Sequence, residues 1–148
     1  MKSCFIEKEI FYLNQETFPV IPTPHDCIIR SILIENQCVI FSFEEEINKR
    51  DSISYYKANA HSLVIKYHLA DEVFSLYKRI KPNKTFLKEG GYEELPNKKL
   101  KKLTQNNLEY LYHYIGYNSI IVKLYSTNEI IWVADVDYIE YEWILKHE

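Results

Sequence analysis

Hydrophobic and polar positions alternate most regularly over residues 62–69, where Leu63, Ile65, Tyr67 and Leu69 oppose Ser62, Val64, Lys66 and His68. A period of two puts the first set on one face of a strand, so this segment predicts a strand buried on one side. Residues 26–35 (DCIIRSILIE) are rich in β-branched side chains, and residues 38–43 (CVIFSF) set Val39, Phe41 and Phe43 against Cys38, Ile40 and Ser42. The short polar link Glu35-Asn36-Gln37 joins these two as a hairpin. Residues 73–80 read as the hairpin partner of 62–69 through Ala70-Asp71-Glu72, with helix as the alternative. Residues 119–125, 130–136 and 138–145 complete a set of seven strands, the first two separated by the turn-forming Ser126-Thr127-Asn128-Glu129. In the last, Ile139, Tyr141, Trp143 and Leu145 alternate with Tyr138, Glu140, Glu142 and Ile144, the pattern of an outer or edge strand with a charged face.

One segment departs from period two. Leu100, Leu103, Leu108, Leu111 and Ile115 recur at a spacing near 3.6, which predicts a principal helix over residues 97–115. Asn97 caps it, or Thr104 caps a shorter form, and Gly116 supplies a left-handed stop. Pro19, Pro22 and Pro24 force an extended path into residue 26. The residues before Phe18 carry no sustained pattern, and residues 44–60 read as a loop or an interrupted strand. Pro82, Asn83, Gly90, Gly91 and Pro96 mark a long connection. Hairpin-length links favour antiparallel pairing over crossovers. The expected class is α+β: a mainly antiparallel sheet of about seven strands, sandwich-like or half-barrel, with one principal helix near 97–115. No internal repeat or composition break divides the chain, so residues 1–148 are expected to form a single domain.

Composition narrows the chemistry. Gly90, Gly91 and Gly116 are the chain's three glycines, too few and too clustered for the G-x-G-x-x-G or G-x-x-x-x-G-K-[ST] phosphate loops. Thirteen Tyr, seven Phe and two Trp make a heavy aromatic load suited to half-buried sheet faces and contact surfaces. The net charge of −3 creates no global field toward nucleic acid or anionic membrane, but it is unevenly spread. Residues 78–102 hold nine Lys and Arg against Glu89, Glu93 and Glu94, while both flanks are acidic. That basic block, with Tyr77, Phe86 and Tyr92 interleaved, carries the nucleic-acid alternative through Lys98, Lys99, Lys101 and Lys102. Against it stand the acidic balance of the chain and the absence of an aromatic [KR]-G-[FY]-[GA]-F sheet signature.

The opening MKSCFIEKEIFYLNQ has no apolar stretch of signal-peptide length, and no apolar run approaches the ~20 residues that span a bilayer. Three cysteines, an odd number, fit a reducing compartment, so a cytoplasmic, non-membrane protein is expected. Cys38 is expected to face Ile34 across the hairpin. Cys27 then lies seven residues further along, roughly 23 Å away at about 3.3 Å per residue, too far for a disulfide.

Three kinds of site are candidates. His25-Asp26 is the pair that opens metal-dependent phosphohydrolase motifs, but those need further His and Asp ligands on surrounding helices. The remaining histidines form no H-x-x-H or H-x-x-x-H, and there is no C-x-x-C, so neither metal nor cofactor is expected. A small-ligand or hydrolytic site around His25 and Asp26 stays as an alternative to their structural use at a strand head. No G-x-S-x-G is present, and Cys27 and Cys38 sit in apolar strands, so no catalytic residue is assigned. Third are the rings beside acids. Tyr110, Tyr114 and Tyr117 are expected to share a helical face offset from the leucine stripe. Asp135 with Asp137, and Glu140 with Glu142, share strand faces beside Tyr138. Tyr110, Tyr114, Tyr117, Asp135, Asp137, Tyr138, Glu140 and Glu142 form the expected interaction surface.

At residues 25–45, H-D-C-I-I-R-S-I-L-I-E-N-Q-C-V-I-F-S-F-E-E, the chain resembles the opening hairpin of small uncharacterised bacterial proteins, some of which resemble toxin immunity proteins. The resemblance implies action by binding and blocking a toxin, and carries over no site residue. The expected function is non-enzymatic protein–protein contact in a bacterial cytoplasm, toxin neutralisation being the form the resemblance suggests.

Overall fold

In the computed structural model, the described residues are 3–82, 85 and 89–147. Asn83 and Phe86, named above, lie outside them, as do Lys84 and Lys88 of the basic block. The described residues form eight strands: β1 (Cys4–Tyr12), β2 (Ile28–Glu35), β3 (Cys38–Phe43), β4 (Ala60–Ile80), β5 (Gly91–Leu95), β6 (Leu108–Gly116), β7 (Ser119–Tyr125) and β8 (Glu129–Lys146). All pairings are antiparallel. Among the described residues, helical structure is confined to short 3-10 and α turns at Ile47–Lys49 and Asp51–Ser54 and a 3-10 helix at Asn97–Asn106. The fold is sheet-rich.

The sheet closes. Its order runs β1-β8-β7-β6-β2-β3-β4-β5, and β4 also pairs with β8, so six strands form a ring. The long β4 and β8 are its spine. β7 and then β1 line one side of β8, and β3 and then β5 line the far side of β4. The ring is completed by a brief β2–β6 pairing, Ile28 with Glu109 and Ile29 with Leu108. β8 is therefore paired on both sides rather than at an edge, and the edges fall to β1 and β5.

Bulges explain where the pattern misleads. Register slips near Leu69–Phe74 in β4 and opposite Val136–Tyr138 in β8. In β8 the inward positions change from Ile130, Trp132, Ala134 and Val136 to Ile139, Tyr141, Trp143 and Leu145. A strand whose parity reverses reads as two, so residues 73–80 continue 62–69, and 130–136 continue into 138–145. The bulges bend both spine strands, which lets the sheet curl into a barrel. Residues 108–116 show the same effect. Register slips between Tyr110 and Tyr112, and the core-facing positions run Leu108, Tyr110, His113, Ile115. Their spacing of two, three, two imitates a helix, and the helix expected over 97–115 is a 3-10 helix followed by β6. Gly116 has no left-handed backbone. It pairs with Ser119 at the hairpin end, where a Cβ would sit 2.6 Å from the Ser119 hydroxyl.

β1 escapes notice because its pattern is inverted. Ile6, Ile10 and Tyr12 face solvent, while Glu7 and Glu9 turn toward the protein. There Lys57 pairs with Glu7, and Tyr56 and the Trp143 indole donate to Glu9 at 2.8 Å each. The β2–β3 hairpin forms as expected around Asn36 and Gln37, both left-handed, the pair of conformations a two-residue type I′ turn requires. Cys38 consequently faces Glu35 rather than Ile34. All three cysteines are free.

Trp132 sits at the centre of the barrel against Tyr67, Phe41 and Phe74, with ring centroids 4.9, 5.5 and 5.9 Å away. The proline segment crosses as a strap, burying Leu13, Ile21 and Cys27. Inside runs a polar chain. Tyr67 donates to the Tyr110 hydroxyl at 3.4 Å, and Tyr110 lies 2.6 Å from His113 Nδ1. His113 Nε2 then reaches the Ile21 carbonyl of the strap at 3.3 Å, and the Tyr141 hydroxyl donates to Pro22. Each of these buried hydroxyl and ring groups has a partner, which is what keeps such a chain from costing stability.

Candidate interaction surface

After the bulge, β6 turns Tyr112 and Tyr114 outward, about half exposed, with their rings 5.2 Å apart edge to face. Across the pairing, Lys123 of β7 is opposite Tyr112 and Ile121 is opposite Tyr114. The Lys123 ammonium lies 5.7 Å from the Tyr114 ring centroid, so the cation covers an aromatic face. β8 carries the face on through Ile131 and Val133, opposite Lys123 and Ile121. Tyr125 is exposed at the far end of β7 and Tyr117 in the β6–β7 turn. Tyr and Ile are thus gathered on one outer sheet face, a concentration beyond the scattered apolar residues normal on any surface.

Acids continue the face along β8. Parity reverses between Asp137 and Tyr138, so Asp135, Asp137, Tyr138, Glu140 and Glu142 all point outward. Asp135 and Asp137 are exposed, and the exposed Asp71 and Glu72 of the neighbouring β4 bulge stand near them in the pairing. Among the described residues none of these four carboxylates has an ion pair. Glu140 and Glu142 are different: both are half-buried, Lys66 lying 2.7 Å from Glu142 and 3.9 Å from Glu140, and Lys8 adding a second contact to Glu142 at 3.6 Å. Burial pushes the Glu142 carboxyl up, but the hydrogen bond and charge of Lys66, helped by Lys8, outweigh it and hold it below the ordinary carboxylate range. Tyr138 is stacked on His68 with centroids 4.1 Å apart and touches Tyr12 at 5.6 Å. These three residues bind one another across β1, β8 and β4 rather than standing free.

The expected surface thus divides. Tyr114, Tyr117, Asp135 and Asp137 are exposed on one side of the barrel, while Tyr138, Glu140 and Glu142 are partly spent on intramolecular contacts. Tyr110 does not belong to it: it is fully buried, and burial raises its hydroxyl well above the ordinary tyrosine range. It cannot share a face with Tyr114, because a strand with one bulge separates them. Tyr112, Ile121 and Tyr125 are the additions that the strand geometry makes. Their signal in the sequence is the alternation in 119–125 together with Tyr112 and Tyr114 two apart.

His25 and Asp26 lie elsewhere, at the strap's end. Their side chains meet at 3.0 Å, both more than half exposed, and Asp26 is left-handed at φ 68°. They line a shallow cavity of about 380 Å³ with Lys49, Arg50, Asp51 and Ser52. Several of its polar groups are engaged within the protein, though Arg50 Nε has no partner among the described residues. The Ser52 hydroxyl donates to the His25 carbonyl at 2.8 Å, and Arg50 and Lys49 neutralise the buried Glu44 at 3.2 and 3.4 Å. Glu44 also accepts the Ile28 amide, tying this corner to β2. Burial, first, and the Glu44 charge push the neighbouring Cys27 thiol up to about 12, far from a nucleophile's range. Among the described residues no group of three or more His, Cys, Asp or Glu is placed to hold a metal.

None of the helices formed by the described residues is long and apolar enough to cross a membrane. No family model matches the chain, and neither the curated proteins nor the solved structures compared with it contain a match.

Proposed function

We propose that the chain is a non-enzymatic binding protein that holds a protein partner against the outer face of β6, β7 and the first half of β8. The observation that carries this reading is the group Tyr112, Tyr114, Ile121 and Tyr125, four large side chains between 38% and 50% exposed on adjoining strands. Tyrosines with an apolar body and a polar tip are favoured contact residues, and a flat face of rings bordered by charge resembles the centre and rim of an interface. The free carboxylates Asp135 and Asp137 at its border favour a partner presenting Lys or Arg there. A toxin carrying a basic surface is the partner that the resemblance of residues 25–45 suggests, and a bacterial cytoplasm is the compartment that three free thiols suit.

The test is a Tyr112→Ser/Tyr114→Ser/Tyr125→Ser variant beside wild type in binding assays with proteins encoded next to this chain. Loss of binding with the fold retained supports the reading. Binding that survives all three substitutions refutes it.

A further inference from the structure

A 3-10 helix advances three residues per turn, so side chains three apart eclipse one another, and runs beyond three or four residues are uncommon. The helix Asn97–Asn106 has ten. Its geometry sorts the lysine run, one basic block in the sequence, into rows. Leu100 and Leu103 anchor the helix, Leu100 fully buried and Leu103 packed on the core. Lys99, Lys102 and Gln105 form a second row, and it lines a cavity of about 330 Å³. Lys98 and Lys101 stand on a third row with Thr104 and line no part of that cavity.

The cavity opens at the end of the barrel where β4 stops and β8 begins. Lys78 enters it from β4 beside Ile130 of β8, and the turn Ser126-Thr127-Asn128 closes the far side. Mouths of β-barrels are recurrent ligand sites. The walls are pinned together, since the Ser126 hydroxyl donates to the Asn106 carbonyl at 2.7 Å. The charges inside are unbalanced. Arg79, one residue from Lys78 and on the other face of β4, is paired with Glu129 at 3.2 Å, and Lys123 takes the second oxygen of that carboxylate at 3.5 Å. Among the described residues, Lys78, Lys99 and Lys102 have no carboxylate within ion-pair distance. Glu93 is opposite Lys78 in the β4–β5 register but is exposed and makes no ion pair with it. Lys78 is half-buried and Lys99 and Lys102 are exposed at the rim, and like charges placed around one concavity repel one another unless an anion joins them.

We propose that the barrel mouth binds a phosphate monoester, its phosphate seated among Lys78, Lys99 and Lys102 and its organic part against Gln105, Thr127 and Asn128. A monoester carries about −1.5 to −2 charge at neutral pH and three strong acceptor oxygens, which suits three point-charge donors better than a single carboxylate does. Amide and hydroxyl groups beside them suit a polyol. The site shares no residue with the tyrosine face, so its success or failure leaves the protein-binding reading where it stands.

The experiment is calorimetry at low salt with ribose 5-phosphate, inorganic phosphate and ribose, and with an oligonucleotide carrying either a 5′-phosphate or a 5′-hydroxyl. Ribose 5-phosphate is expected to bind and ribose not to. Lys78→Met, and separately Lys99→Gln/Lys102→Gln, should each weaken binding about tenfold or more, the loss expected of a charge-assisted hydrogen bond. Lys98→Gln/Lys101→Gln should change it by less than about twofold, as exposed charges do. An oligonucleotide that binds only with its 5′-phosphate supports the same site with a chain end as ligand. No binding of ribose 5-phosphate at millimolar concentration overturns the proposal. So does equal weakening by the two helix variants, or oligonucleotide binding that ignores the terminal phosphate.

Discussion

Acidification should destabilise this protein, most of all through one buried histidine. His113 is buried, and burial lowers its pKa from 6.5 to about 4 against a smaller opposing effect of the Ile21 carbonyl. The hydrogen bonds define the neutral ring. Nε2 lies at a carbonyl and must carry the proton, which leaves Nδ1 to accept from Tyr110, whose oxygen in turn accepts from Tyr67. A second proton on Nδ1 would set two donors against each other and place a charge in the barrel. Because the folded pKa lies below the unfolded one, the unfolded chain binds more protons between the two values, and stability rises with pH there. The contribution is complete above about pH 6.5 and lost as pH falls through 4; at about 1.4 kcal/mol per unit it amounts to about 3 kcal/mol. Urea unfolding from about pH 7 to pH 4 measures it against His113→Gln, which retains polar atoms without the titration. Wild type should lose about 3 kcal/mol more than the variant over that interval. Parallel profiles, or a His113 ring that titrates near 6.5 by NMR, would show the reasoning to be wrong.

Further outcomes follow from single contacts. Trp132 and Trp143 are both fully buried, but Trp143 Nε1 donates to Glu9 at 2.8 Å while Trp132 Nε1 has no partner among the described residues. Trp143→Phe should therefore cost about 1–2 kcal/mol more than Trp132→Phe in denaturant unfolding, and the reverse order would contradict the assignment. Lys66→Met leaves Glu142 to Lys8 alone, and thermal melts should show a loss of about 1–2 kcal/mol near neutral pH that shrinks as acid protonates the carboxylate. In thiol labelling of the native protein near pH 8, Cys4, exposed, should react fast and Cys27, with its thiol at about 12, should not. Equal rates for the two would refute the burial of Cys27.

Much of the sheet is legible in the sequence wherever one parity persists. Residues 38–43, 62–69 and 119–125 alternate cleanly, and all three are strand; 28–35 is strand too, legible from its β-branched residues although a bulge between Ile29 and Ser31 breaks its alternation. Legibility fails at bulges, because one extra residue exchanges the faces. That single effect splits β4 and β8 into pairs of shorter strands and disguises β6 as a helix. It fails again in β1, where carboxylates face inward to meet Lys57, Tyr56 and Trp143, partners distant in sequence. The residues of the proposed surface are legible only in part. Asp135 and Asp137 are exposed through strand alternation, the reason the sequence offers, whereas Tyr114 is exposed through strand parity and Tyr117 through a turn, not through the shared helical face expected of them. Tyr110 is misplaced because its neighbours imitate a period of 3.6, and Tyr138 is half lost to a stack with His68 that only strand register creates. The sorting of the lysines into rows depends on three residues per turn rather than 3.6, a difference of backbone geometry that propensity does not distinguish.

Binding of a protein partner is tested most directly by recovering the wild-type chain and the Tyr112→Ser/Tyr114→Ser/Tyr125→Ser variant from the source cells and comparing their bound proteins by quantitative mass spectrometry. Exposed substitutions of this kind change stability by only about 0.5 kcal/mol each, so the fold should persist. The tyrosine face predicts a partner with a basic surface that accompanies wild type and the Lys98→Gln/Lys101→Gln control alike, and that the triple variant loses. Identical sets of proteins on wild type and the triple variant would contradict it.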